Sequence, residues 1–135
     1  MIRKGRFALW DKREFELASY QRQYYLQSAD PLDLRNGFVK KNGSNHVYIK
    51  TISVEELEDA YEVIPYGMIE GYRFAVEGYD DKTGKVALVT NNPFVKERIE
   101  VRPYGEFQYI IEILLEDIVI EEDRVPILGF DGLYT

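Results

Sequence analysis

Cysteine is absent from this chain of 135 residues. Its absence excludes disulfides, thiolate nucleophiles and zinc–thiolate centres. Small extracellular domains often carry disulfides, so a cytoplasmic protein is expected. Histidine occurs once, at His46, beside a turn. A general base needs a partner and a pocket, and the neighbouring sequence supplies neither, so His46 reads as a surface residue. No stretch approaches the roughly 20 apolar residues of a membrane helix. The longest apolar segment, Tyr109 to Ile120, is broken by Glu112, Glu116 and Asp117. The basic start, Met1-Ile2-Arg3-Lys4-Gly5-Arg6, has no apolar run behind it, so no signal peptide is expected. The glycines show neither phosphate-loop nor dinucleotide spacing, and no Gly-x-Ser-x-Gly elbow exists. No cofactor and no metal are expected. A glycosidase needs two carboxyls about 5–10 Å apart across a cleft. Among 24 acids some pair meets that distance by chance, and the chain leaves little material for a cleft.

What is present is aromatic and strand-like. Eleven Tyr and seven Phe favour a pleated surface. Phe7, Leu9, Phe15 and Leu17 alternate around Asp11-Lys12-Arg13, predicting two strands. Tyr24 to Ser28 predicts a third, ending at Asp30-Pro31, where Asx and Pro open a helical turn. Lys41-Asn42-Gly43-Ser44-Asn45 predicts a turn between strands 37–40 and 46–52. Ser53-Val54-Glu55-Glu56 fits a capping box, so one or two helical turns are expected at 54–60, although 61–64 reads equally as strand. Strands are also expected at 72–79, 85–90, 99–101 and 107–114, with one or two more between 115 and 127. Roughly ten short strands make an all-β, mainly antiparallel fold.

The chain also echoes itself. Ser28-Ala29-Asp30-Pro31 is matched by Thr90-Asn91-Asn92-Pro93, each after an apolar strand. Arg6-Phe7-Ala8-Leu9 is matched by Arg73-Phe74-Ala75-Val76, and Tyr48-Ile49 by Tyr109-Ile110. Two pseudo-repeated halves are therefore expected, residues 1–66 and 67–135, each a small barrel or curled sheet, packed as one unit. A sixty-residue unit alone has a marginal core.

Charge is uneven. Residues 1–50 carry 10 Lys/Arg and 5 Asp/Glu, and residues 51–135 carry 7 and 19. The acidic part disfavours nucleic acid and suits a basic protein partner. Glu112, Glu116, Glu121, Glu122 and Asp123 are the candidate partner-binding acids. The alternative is an aromatic face made by Trp10, Tyr20, Tyr24 and Tyr25, which core packing also explains. Strand spacing and aromatic pairs such as Phe7/Trp10 and Phe15/Tyr24-Tyr25 resemble tandem small barrels of the SH3/Tudor type. The opening Gly5-Arg6-Phe7-Ala8-Leu9-Trp10, the segment Tyr25-Leu26-Gln27-Ser28-Ala29-Asp30-Pro31 with Gly37-Phe38, the small size and the acidic runs resemble small acidic immunity proteins of bacterial toxin–immunity systems. That resemblance implies a non-catalytic inhibitor of a basic toxin domain in a bacterial cytoplasm. A peptide-binding or scaffold module is the alternative, and a small enzyme the third reading.

Overall fold

The structure is a computed structural model, and it describes residues 2–130. It is all-β. Eleven antiparallel strands hydrogen-bond in the order β4-β5-β3-β2-β1-β6-β7-β8-β10-β9, and β11 also pairs with β6. The path is open at β4 and β9, so of the barrel or curled sheet expected from the sequence, the closed barrel is not formed. Two compact units divide the chain: Gly5–Val63 with residues 124–130, and Ile64–Asp123 with residues 2–4.

In the Gly5–Val63 unit, β1 is Gly5–Trp10, β2 is Arg13–Tyr20 and β3 is Gln23–Ser28. After a 3-10 turn come β4 (Val39–Lys40), β5 (Tyr48–Ile52) and the start of β6 (Asp59–Ile69). Two-residue turns join β1 to β2 and β2 to β3. Asp11 and Lys12 have φ of 51° and 63°, and Gln21 and Arg22 have 51° and 65°. Positive φ at both central positions is the tight-hairpin geometry that matches strand twist. Such a turn pairs Phe7 with Glu16 and Ala8 with Phe15. Odd residues of β1 therefore share a face with even residues of β2. One face carries Ala8, Phe15, Leu17 and Leu26, which join Phe38, Tyr48 and Ile52 in the core. Each such large side chain, fully buried, contributes about 1.5–3 kcal/mol. The other face carries Glu14, Glu16, Ala18 and Tyr20 of β2 and Tyr25 and Gln27 of β3.

In the Ile64–Asp123 unit, the rest of β6 pairs with β7 (Tyr72–Asp80), which pairs with β8 (Lys85–Thr90). A bulge between Val76 and Gly78 shifts that register. The two-residue β9 (Arg102–Pro103), β10 (Tyr109–Leu114) and residues 120–123 of β11 (Ile120–Pro126) complete it. Phe74, Val76, Val86, Leu88 and Val95 form its core.

Several sequence expectations shift. Residues 54–60 do not form a helix. Only Val54–Glu56 makes a 3-10 turn, and β6 begins at Asp59. Ala60, Tyr61 and Val63 are all buried, so both faces of β6 are covered there, and tertiary burial overrides the helical spacing. The capping box does form: Ser53 donates from its N–H and its hydroxyl to Glu56 Oε2, both at 3.0 Å. Residues 99–101 lie outside any strand, and the short strand falls at Arg102–Pro103 instead. Among the described residues no helix is long and apolar enough to cross a membrane.

Candidate functional site

The Asp30-Pro31 turn organises the first unit's surface. Asp30 accepts a hydrogen bond from the Leu32 N–H at 2.9 Å, and Pro31 opens the 3-10 turn Pro31–Asn36. Gly37 ends it with φ of 89°. The left-handed backbone at Gly37 calls for glycine, whereas the Lys50 Nζ that a Cβ there would meet is the end of a flexible side chain and can move aside.

Beneath this turn Asp33 is buried, 1% exposed. The Arg13 guanidinium donates to both carboxylate oxygens, Nη1 to Oδ1 at 2.6 Å and Nη2 to Oδ2 at 3.1 Å. The Ser28 hydroxyl donates to Oδ2, and Asn36 donates to Oδ1 at 2.9 Å. This charge-assisted fork, with the Ser28 and Asn36 bonds beside it, holds the Asp33 carboxyl down to about 2, against the opposing cost of burial. Asp33 is thus ionised at neutral pH and committed to four donors, which suits a staple and not a general base. The same partnership raises Arg13 further above its already high ordinary value. The staple fixes the turn while Leu32 and Leu34 stay exposed, 59% and 52%.

An open concavity of about 550 Å³ lies beside the turn. Glu14, Glu16, Gln27 and Asp30 line it together with Arg13. Glu14 accepts a hydrogen bond from the Tyr61 hydroxyl, and the Arg124 guanidinium sits over the Tyr61 ring at 4.6 Å. A second concavity of about 490 Å³ shares Gln27 and is lined by Ala18, Tyr20, Tyr25, Lys41 and Ile49.

The candidate aromatic face is divided by this geometry. Trp10 packs on the core, with ring centroids 6.1 Å from both Phe15 and Phe38, and Lys50 Nζ lies 5.0 Å from its ring. Tyr24 also packs against the core. Tyr20 and Tyr25 face the opposite side and line the second concavity, with Tyr20 67% exposed. The structure brings Tyr20 and Tyr25 together and leaves Trp10 and Tyr24 apart from them.

The five candidate acids are not gathered on one face. Glu122 and Asp123 are successive on β11, so their side chains point to opposite sides. Arg3 donates twice to Glu122 at 3.1 Å, Arg73 to Asp123 at 2.5 Å, and Arg102 to Glu112 at 2.7 Å. Three of the five acids already hold arginines. Glu116 lies in the 3-10 turn Leu115–Asp117 and Glu121 on β11, both exposed. His46 is exposed beside the Gly43 turn. Among the described residues no group of three or more His, Cys, Asp or Glu converges as a metal site.

The Ile64–Asp123 unit has a related turn. Asn92 accepts from the Phe94 N–H at 3.0 Å, Pro93 opens the 3-10 turn Pro93–Glu97, Phe94 is 62% exposed and Val95 is buried. A concavity beside it is lined by Arg73, Glu77, Thr90, Asn92 and Gln108. The Tyr104 hydroxyl donates to Glu77 at 3.1 Å, which raises the Tyr104 pKa.

Sequence reasoning missed Asp33, Arg13, Glu14 and Glu16. Arg13 lies twenty residues from Asp33, and nothing local points to it. The chain belongs to the family described as Uncharacterised conserved protein UCP033725, whose model matches residues 2–129. No curated protein and no solved structure matches the chain.

Proposed function

We propose that this member of the family is a non-catalytic protein-binding protein, and that its binding surface lies on the Gly5–Val63 unit. One observation carries the reading. A buried, fully satisfied Asp33 is spent on holding an exposed surface turn, with Leu32 and Leu34 turned to solvent. Rigid display of apolar side chains lowers the ordering cost of association. In its more specific form the protein is an immunity-type inhibitor of a basic toxin domain in a bacterial cytoplasm. The net charge of −7 fits such a partner. A peptide-binding or scaffold role for the aromatic first half is favoured by the joint exposure of Tyr20 and Tyr25.

We also read the two units as copies of one ancestral unit. In chain order, β2, β3, β4 and β5 pair as β4-β5-β3-β2, and β7, β8, β9 and β10 pair as β9-β10-β8-β7. The Asx-Pro turns follow β3 and β8. Leu32 and Phe94 are exposed one place after each Pro, and Asp33 and Val95 are buried one place further. The Arg6–Leu9 and Arg73–Val76 echo does not fit this alignment, because it falls on β1 and β7, which occupy unmatched places.

The test is recovery of the tagged full chain from its own cells after mild cross-linking. One protein in roughly equal amount is expected, binding in purified form with Kd below about 1 μM. Recovery of the chain alone, together with turnover of a small molecule, overturns the reading. A basic toxin domain as the partner supports the immunity form; an acidic partner excludes it.

A further inference from the structure

We infer that the solvent face of β2 and β3 is a trough for one extended segment of a partner protein, with a Lys or Arg four positions from an aromatic residue. The inference rests on the protein-binding reading and gives it a place and a chemistry. The two concavities of the first unit share Gln27, so they form one continuous surface along β2. One end presents Glu14, Glu16 and Asp30. Arg13, which lines that end, is held by Asp33. Glu16 and Asp30, both exposed, therefore offer negative charge to an incoming cation. Ala18 leaves a low floor in the middle. Tyr20 and Tyr25 stand at the other end, where aromatic faces accept a ring. Lys41 closes that end, so the complementary segment is basic at one end only.

The spacing is set by the strand. Glu16 and Tyr20 are four residues apart on one face, about 13 Å along β2. An extended segment laid along it presents every second side chain at the same rise. Basic, apolar and aromatic groups at alternating positions would then meet Glu16, Ala18 and Tyr20 in turn. The segment is placed along this face, where the acidic and aromatic side chains stand, and not at the β5 edge, of which β4 covers Tyr48 and Ile49.

The probe is a fluorescein-labelled, end-capped peptide, Arg-Thr-Val-Thr-Tyr, with a control in which Glu replaces Arg. Both are titrated into the full chain by anisotropy, with amide shifts recorded by NMR. The Arg peptide is expected to bind at least about threefold tighter, the size of an exposed charge pair. Its shifts should fall on β2, β3 and β5. Glu16→Lys should reverse the preference in favour of the Glu peptide, and Tyr25→Ala should weaken both. Equal binding of the two peptides, binding of neither, or shifts confined to other strands overturns the trough. A co-purified partner still held at full affinity by Glu16→Lys and Tyr25→Ala also overturns it, while leaving the protein-binding reading standing.

Discussion

Arg13 and Asp33 meet through both guanidinium nitrogens and both carboxylate oxygens, at 2.6 and 3.1 Å. The pair is asymmetric. The Arg13 side chain is 49% exposed and the Asp33 side chain 1%. Removing either partner therefore has unequal consequences. Asp33→Asn leaves a guanidinium that water can reach, so a loss of about 1–2 kcal/mol is expected. Arg13→Met leaves a buried carboxylate with only Ser28 and Asn36, and about 3 kcal/mol is expected. Urea unfolding of the two variants checks the order; an equal loss would mean that the carboxylate is not buried in solution.

Acid should act through the same group. The Asp33 carboxyl is depressed from 3.8 to about 2 in the folded chain. A depressed acid contributes stability that is complete above its unfolded value and lost as pH falls towards the folded one. Its contribution of about 2 kcal/mol should thus be present above pH ~4 and disappear between pH ~4 and ~2. Unfolding free energy measured across that window should fall less steeply in Asp33→Asn than in the parent chain.

The Gln21-Arg22 turn carries two non-glycine residues at positive φ. Arg22→Gly removes the side-chain clash of the left-handed region without changing the hairpin. A gain of about 0.5–1 kcal/mol is expected, because relief of that clash exceeds the extra entropy of an unfolded glycine. A higher urea midpoint at unchanged slope checks it.

Trp10 packs edge-on to Phe38 and against Phe15, half-buried at the border of the first core. Trp10→Ala should cost about 3 kcal/mol, at the low end for a large aromatic because the site is not sealed. Thermal unfolding measures the loss. Binding of the Arg-Thr-Val-Thr-Tyr peptide to the variant, at temperatures where it remains folded, should be unchanged, since Trp10 faces away from Tyr20 and Tyr25.

Local chemistry wrote much of this fold into the sequence. Alternation in Phe15-Glu16-Leu17 and Val86-Ala87-Leu88, the Asp30-Pro31 and Asn92-Pro93 caps, and the Asn42-Gly43 turn all act within a few residues, so period and turn chemistry reveal them. The Ser53–Glu56 box was legible for the same reason. What followed Glu56 was not, because helical spacing at Leu57, Ala60 and Tyr61 yields to burial on both faces of β6.

The candidate site was decided by tertiary structure. Trp10, Tyr20, Tyr24 and Tyr25 look alike in sequence, but two-residue turns fix which strand face each one takes. A turn one residue longer or shorter would exchange their places. Likewise the acids at 112–123 read as one run, yet successive residues of a strand point to opposite sides, and Arg3, Arg73 and Arg102 arrive from distant positions to pair with three of them. Asp33 gives no sign of its burial until Arg13, twenty residues earlier, is brought against it. Sequence alone determined most of the strands and turns and the absence of thiol chemistry, because these depend on neighbours in the chain. Which side chains share a face and which charges are already paired depended on strand pairing across long separations, and only the folded sheet supplies that.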